Sequence, residues 1–385
     1  MTRGRALALL ATAELLGMSA WFSASALAPQ LIERWGLTQA ESGWLTTAVQ
    51  LGFVAGTACA AVLNLADLVP NRTYFAVAAL AAAVSNATLL LAGGFVPALI
   101  GRFWTGFFLA GVYPPAMKMI ATWYQDGRGF AIGTIVGALT VGKATPYLVH
   151  GLEHAEVAPV VLGASGATLL AALLVFALYR DGPHAFERRP FSWSLVGAVV
   201  RDRPVRLAIG GYLGHMWELY AMWTWIAAFL ASGVGLGHRG ADVGAFFAIA
   251  AGGVGCVVGG LVADRMGRER LTIWSMAVSG ACAALIGLVA GGPAFAIGVA
   301  LVWGFAVVAD SAQFSALVTE LAPRHAVGTA LTLQTSLGFL LTMASIQLVP
   351  RLVDAVGWRW AFVALAIGPA LGIGAMRRLM ALRSG

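Results

Sequence analysis

Leu65-Ala66-Asp67-Leu68-Val69-Pro70-Asn71-Arg72 and Val262-Ala263-Asp264-Arg265-Met266-Gly267-Arg268-Glu269 are two versions of one polar turn in an otherwise apolar chain. Cutting the rest at charge clusters and at Pro, Gly or Asn breaks leaves twelve apolar spans: 6–30, 42–65, 73–94, 97–120, 129–151, 158–179, 205–231, 242–263, 271–290, 294–318, 326–349 and 358–380. Each is close to the ~20 residues that cross hydrocarbon as a helix. The turns follow spans two and eight. Two copies of one loop, six spans apart, predict parallel six-helix repeats about an axis along the membrane normal.

Composition agrees. Of 385 residues, 59% are apolar and 11% charged, and mean hydropathy is +0.83. Soluble domains carry about 25% charged residues, so this chain has too little polar surface to face water. Bare backbone groups are too costly in hydrocarbon for anything but helices or closed barrels, and no span shows the ten-residue alternation of a barrel strand. The expected fold is therefore an all-α membrane protein of twelve transmembrane helices in two six-helix pseudo-repeats. Residues 1–179 and 205–385 form the halves, joined by a cytoplasmic linker, 180–204. Phe191, Trp193 and Leu195 alternate with arginines there and suit either a surface-lying segment or a plain linker.

The net charge of +7 does not point to nucleic acid, because the basic residues lie in short loops rather than in a stripe that phosphates could follow. Cys59, Cys256 and Cys282 lie inside apolar runs without disulfide or metal spacing. The first run mimics a signal peptide, but its length, Glu14 and the spans after it make it a retained helix. With the N-terminus inside, seventeen arginines fall on the cytoplasmic side and four on the other. This places both termini in the cytoplasm of a bacterial-type inner (plasma) membrane.

The stretch Gly260 to Arg270 resembles the signature loop of the major facilitator superfamily, which joins helices 2 and 3 and recurs between helices 8 and 9. Arg102-Phe103-Trp104-Thr105-Gly106-Phe107-Phe108-Leu109-Ala110-Gly111 is similar to that family's second motif, in helix 4. The resemblance implies a secondary transporter that works by alternating access, not an enzyme. It also implies a conformational latch at Asp67, Arg72, Asp264, Arg265, Gly267, Arg268 and Glu320. Leu68 and Pro70 stand where the family has Arg and Gly, which weakens the first latch. The Gly-Pro motif of exporters is replaced by Gly133, Gly137 and Gly142, with Pro146 further on. Gly111 to Trp123 resembles organophosphate/phosphate antiporters and, more loosely, nitrate/nitrite porters.

Ionisable groups at membrane depth cost at least ~2.5–3.5 kcal/mol on insertion scales, so the few present are candidates for function. Lys118 can snorkel from the end of helix 4, but Lys143 lies ~21 Å from the cytoplasmic face. Thr140, Lys143, Tyr147 and His150 share one face of helix 5. Helix 7 offers His215 and Glu218, one turn apart, among Tyr212, Trp217, Tyr220, Trp223 and Trp225. Arg102, Tyr113 and Gln334 complete the expected substrate-binding set with Lys143, Thr140, Tyr147, His215 and Tyr220. Glu218, Asp310 and Glu14 are the expected proton-coupling acids, with Glu218 a partner for Lys143 at matching depth. Arg102 either snorkels outward or pairs with helix 1, and Tyr113-Pro114-Pro115 should kink helix 4.

No nucleotide-binding loop, metal set or nucleophile triad is legible, so no cofactor is expected; His150 and His154 are only a lone pair. The reading is a monomeric transporter of a small, anionic solute, driven by protons or by the substrate gradient. Efflux of a lipophilic or cationic compound is the first alternative, and a non-transporting sensor or assembly factor the second. Reporter fusions after Phe191 and Arg268 should read cytoplasmic and one after Glu153 periplasmic; a periplasmic signal at Phe191 contradicts the two-half topology.

Overall fold

The computed structural model describes residues 1–385 except 126, 154–155, 185–191 and 385, and except the side chains of 66, 67, 152, 153 and 384. Every regular element among the described residues is helical. In chain order the long helices are α1 (residues 3–35, in the pieces Arg3–Met18, Ser23–Ala26 and Ala28–Trp35), α2 (Gln39–Val62), α3 (Asn71–Leu91), α4 (Phe95–Ala121), α5 (Arg128–Glu153) and α6 (Val157–Leu178), then α7 (Arg203–Ala228), α8 (His238–Met266), α9 (Arg268–Val289), α10 (Pro293–Leu321), α11 (Arg324–Val356) and α12 (Trp358–Arg383). Ten of them, all but α1 and α7, are long and apolar enough to cross a membrane. The longest piece of α1 has 16 residues. The middle of α7 carries His215, Glu218 and several Tyr and Trp side chains, which lower its apolarity.

Helix ends follow local chemistry. Thr38 and Glu41 form a reciprocal capping box at α2, with Glu41 N–H donating to Thr38 Oγ1 at 3.2 Å and Thr38 N–H to Glu41 Oε2 at 2.7 Å. Asp202 caps α7 through the N–H of Val205 at 3.0 Å. The two repeated turns diverge in detail. Gly267, at φ +89°, lets α8 turn directly into α9. In the first copy proline stands at position 70, where a positive φ is impossible. The chain instead turns at Asn64, adds a short helix Leu65–Leu68, and enters α3 from Pro70.

Packing repeats with a step of six helices. α2 lies on α4, α3 on α6, and α1 on α5 and α6; α8 likewise lies on α10, α9 on α12, and α7 on α11 and α12. Two seams cross between these groups, α5 on α8 and α2 on α11, and the same step interchanges them. In the α5/α8 seam the backbones touch: a Cβ at Gly133 would stand 2.7 Å from the carbonyl oxygen of Cys256, and one at Gly137 2.6 Å from that of Gly253. Small residues permit such approach where no hydrophobic force drives helices together.

Three helices are broken. α4 stops at Leu109 and restarts at Tyr113, so the break precedes Pro114 and Pro115, which then sit in a first turn where the missing N–H costs nothing. α10 breaks at Asp310, and α1 breaks between Met18 and Ser23. Of the linker, a short helix Trp193–Arg201 is described, with Trp193 exposed and the Ser192 N–H donating to Thr329 Oγ1 at 2.9 Å; Phe191 lies outside the described residues.

Candidate functional site

The break in α1 strips several carbonyls of their helical partners, and in lipid these must find donors. Arg102 supplies them. From α4 its Nη1 donates to the carbonyl of Ala20 and to Ser23 Oγ, both at 3.0 Å, and to Asn86 Oδ1 at 2.7 Å, while Nη2 donates to the carbonyl of Trp21. Of the two orientations open to Arg102, the inward one is adopted, and its guanidinium is turned to the helix break rather than to a substrate space. Ser23 Oγ also donates to Asn86 Oδ1 at 2.6 Å, closing the network.

Pinning the carbonyl of Trp21 places its ring over Lys143. The Lys143 Nζ lies 4.0 Å from the Trp21 ring centroid, 4.9 Å from that of Tyr220 and 5.4 Å from that of Trp223. It donates to Tyr220 Oη at 2.6 Å. Desolvated cation–π contacts are worth about 2 kcal/mol or more, which offsets part of the cost of burying an ammonium that lacks a carboxylate hydrogen bond. Lys143, Thr140, Tyr113, His215 and Tyr220 line one central cavity of about 90 Å³, together with Trp21, Phe53, Trp223 and Phe339. Tyr147, fully buried, instead donates to the carbonyl of Trp223 at 3.3 Å, and Gln334 reaches Ser315 Oγ at 3.4 Å. Neither lines the cavity.

The expected pair of Lys143 and Glu218 is not formed in this conformation. Cavity-lining positions on α7 are 212, 215, 216, 219, 220 and 223, a helical stripe that leaves residue 218 on another face. Glu218 is fully buried there and accepts from Trp303 Nε1 at 2.6 Å and Ser279 Oγ at 2.8 Å. Glu14 is fully buried, and neither of its oxygens has a hydrogen-bond partner among the described residues. At the break of α10, Asp310 Oδ1 lies 2.9 Å from Nδ1 of His215, whose Nε2 faces Ser311 Oγ at 3.1 Å.

Beyond the aromatic layer, at the end of the bundle away from the termini, the seams are tied by polar side chains. Thr342 donates to Gln50 Oε1 at 2.5 Å and Gln347 to Thr47 Oγ1 at 3.2 Å, joining α2 to α11. His150 Nδ1 lies 2.6 Å from Asp242 Oδ2, joining α5 to α8, with Gln30 of α1 on its other ring nitrogen. A second cavity of about 220 Å³ lies here, lined by Ser25, Thr46, Thr224, Trp225 and Asp242 among others. Thr224 and Trp223, adjacent on α7, thus face different cavities.

At the termini end, Arg268 donates through Nε to Glu320 at 2.7 Å and through Nη1 to Gln313 at 2.6 Å. Asp264 faces the first turn of α5, its Oδ2 3.4 Å from where a Gly129 Cβ would stand, as a carboxylate at a helix N-terminus should. Arg265 is exposed, and Arg72 lies over the Phe176 ring at 5.9 Å. The side chain of Asp67 and all of His154 lie outside the described residues.

A family model described as Major Facilitator Superfamily matches residues 9–346. The chain belongs to that superfamily of transporters. No curated protein matches at the sequence level. Among solved structures, a bacterial homolog of the human lysosomal transporter Spinster, inward-facing and unoccupied, is 17% identical, covers 98% of each chain and has a TM-score of 0.75. A variant of the nucleoside transporter NupG is 12% identical over 97% of this chain and 99% of its own, with a TM-score of 0.74. At such identities the likeness is one of fold.

The network around Arg102 gives a stability test. Hydrogen bonds to a charged group are worth ~1.5–3 kcal/mol each when buried. Arg102→Gln should therefore lower the melting temperature of the detergent-solubilised protein more than Lys143→Gln does. An equal or smaller effect contradicts the role assigned to Arg102.

Proposed function

We propose that this transporter moves a small anion by alternating access, with protons as the coupling ion. The observation that carries the proposal is the Lys143 ammonium, which lines the central cavity and, among the described residues, is held by a phenol oxygen and ring faces. A buried charge without a hydrogen-bonded counter-ion is costly, and an anionic substrate relieves that cost. The halves, 1–179 and 205–385, rock on the α5/α8 and α2/α11 seams, with 180–204 as the connection. The termini face the cytoplasm of a bacterial-type plasma membrane, the chain acts as a monomer, and the Arg268–Glu320 contact, with Asp264 at α5, latches one state.

For coupling, the His215–Asp310 pair is the better placed acid, since His215 lines the cavity and Asp310 sits at a helix break. Glu14, fully buried on α1 and without a hydrogen-bond partner among the described residues, is the second. Glu218 carries a proton only after a rotation that frees it from its bonds to Ser279 and Trp303. The rings around Lys143 also suit a substrate ammonium, so efflux of a cationic compound is kept as the rival reading.

A thermal-shift screen of the purified protein against anion, amino-acid, sugar and drug panels separates them. The expected result is stabilisation by an anion that Lys143→Ala abolishes and Lys143→Arg nearly abolishes, because a planar fork does not replace a compact ammonium. Stabilisation by a cationic drug, undiminished in Lys143→Ala, would contradict the proposal.

A further inference from the structure

The outer face of the second six helices carries basic side chains that no protein group neutralises. α9 and α12 pack side by side and antiparallel: a Cβ at Gly372 would stand 2.6 Å from Met276 Sδ, and one at Gly280 3.0 Å from the Cβ of Pro369. That register sets Arg270, in the first turn of α9, level with Arg378 near the end of α12, at the termini end of the bundle. Both are exposed, and neither they nor Arg377 make an ion pair or hydrogen bond among the described residues. The described carboxylates at this end of the second six helices are engaged elsewhere. Glu269 is held by Arg383 at 2.5 Å and Glu320 by Arg268 at 2.7 Å, Asp202 caps α7, and Asp264 faces the start of α5. Like charges set level on packed helices repel, more strongly at the edge of a low-dielectric medium than in bulk water.

Both arginines also terminate lipid-facing stripes. On α9, Arg270, Trp274, Val278 and Leu285 recur at i, i+4, i+8 and i+15; on α12, Ile367, Leu371 and Arg378 recur at i, i+4 and i+11. Trp274, Leu285, Ile367 and Leu371 are each more than half exposed, so the stripes face hydrocarbon rather than another helix. Two apolar ridges thus run into the bilayer from two cationic groups, with an indole one turn in, at the level where amphipathic rings collect. A guanidinium presents a planar fork that matches phosphate oxygens. A soluble anion would match only the basic end of this face; a phospholipid matches both ends. In the matching α3/α6 pair, Arg72 lies instead over the Phe176 ring at 5.9 Å.

We propose that one anionic phospholipid binds along the outer face of α9 and α12. Its headgroup phosphate is received by Arg270 and Arg378, and its acyl chains lie on Trp274, Leu285, Ile367 and Leu371. Nothing in this site depends on what the central cavity carries.

Thermal unfolding of the full-length protein in detergent, with lipid added back, tests the site. Dioleoylphosphatidylglycerol should raise the melting temperature, and dioleoylphosphatidylcholine at the same concentration should do so much less, because it has no net charge. In Arg270→Gln/Arg378→Gln, half-maximal stabilisation should need roughly thirtyfold more phosphatidylglycerol, at about fivefold for each basic side chain at an anionic surface. Should that variant not fold, Arg378→Gln alone should need about fivefold more. Arg5→Gln/Arg180→Gln, which removes the same charge from the first half, should leave the requirement unchanged. Equal stabilisation by the two lipids, an unchanged requirement in the Arg270/Arg378 variant, or an equal loss in the Arg5/Arg180 variant would overturn the proposal. So would stabilisation by inorganic phosphate that matches the lipid's and is lost in the Arg270/Arg378 variant, since the occupant is then a soluble anion.

Discussion

A carbonyl stripped of its helical partner cannot be left bare in hydrocarbon, and the centre of this molecule is organised by how that demand is met. The break in α1 exposes the carbonyls of Ala20 and Trp21, and Arg102 reaches across from α4 to satisfy both. The guanidinium thereby fixes Trp21, and Trp21 covers Lys143. A buried cation in a structural role thus sets the position of a second one in the cavity. Arg suits the first task because its several planar donors address several acceptors at once, while Lys143, a compact ammonium with a flexible stem, suits a contact that is made and released.

Around this centre, the packing falls into two similar groups of helices joined at seams. Among the described residues, the main helix contacts of the first six helices have counterparts six helices on, and the α5/α8 and α2/α11 seams are the most extensive contacts between the halves. The α5/α8 seam is glycine-lined and intimate, which lets two backbones lie against each other with few side chains to interdigitate. Polar ties at the end away from the termini, Gln50 with Thr342 and His150 with Asp242, close the same seams where the second cavity lies. Ties of this kind can break and reform at small cost compared with repacking a core.

The fold was legible because hydropathy is read along the chain and needs no tertiary knowledge: ten of the twelve expected spans stand as apolar helices, and the repeated turns lie between the expected pairs. The break in α4 fell just ahead of its prolines, as the local chemistry requires. The break in α1 had no such mark, because its stabiliser lies some eighty residues away, at Arg102. Lys143 stood out because a charge at that depth is scarce. Its surroundings did not, since Trp21, Phe53, Tyr220 and Phe339 come from α1, α2, α7 and α11 and are indistinguishable in sequence from core aromatics. Glu218 lies off the expected azimuth: the stripe of α7 that faces the cavity passes it by, and Trp303 and Ser279 hold it instead.

The account turns on one contact, the Lys143 ammonium resting on the Trp21 ring, from which the proposed anion would draw it away. The chain has only two lysines, Lys118 and Lys143, so selective carbon-13 labelling at lysine Cε yields a spectrum of two signals. In nanodiscs without substrate, one signal should be shifted upfield by the indole ring current, and that shift should vanish in Trp21→Leu and on saturation with a bound anion. Two signals at the position of a solvent-exposed lysine, unchanged by Trp21→Leu, would contradict the account.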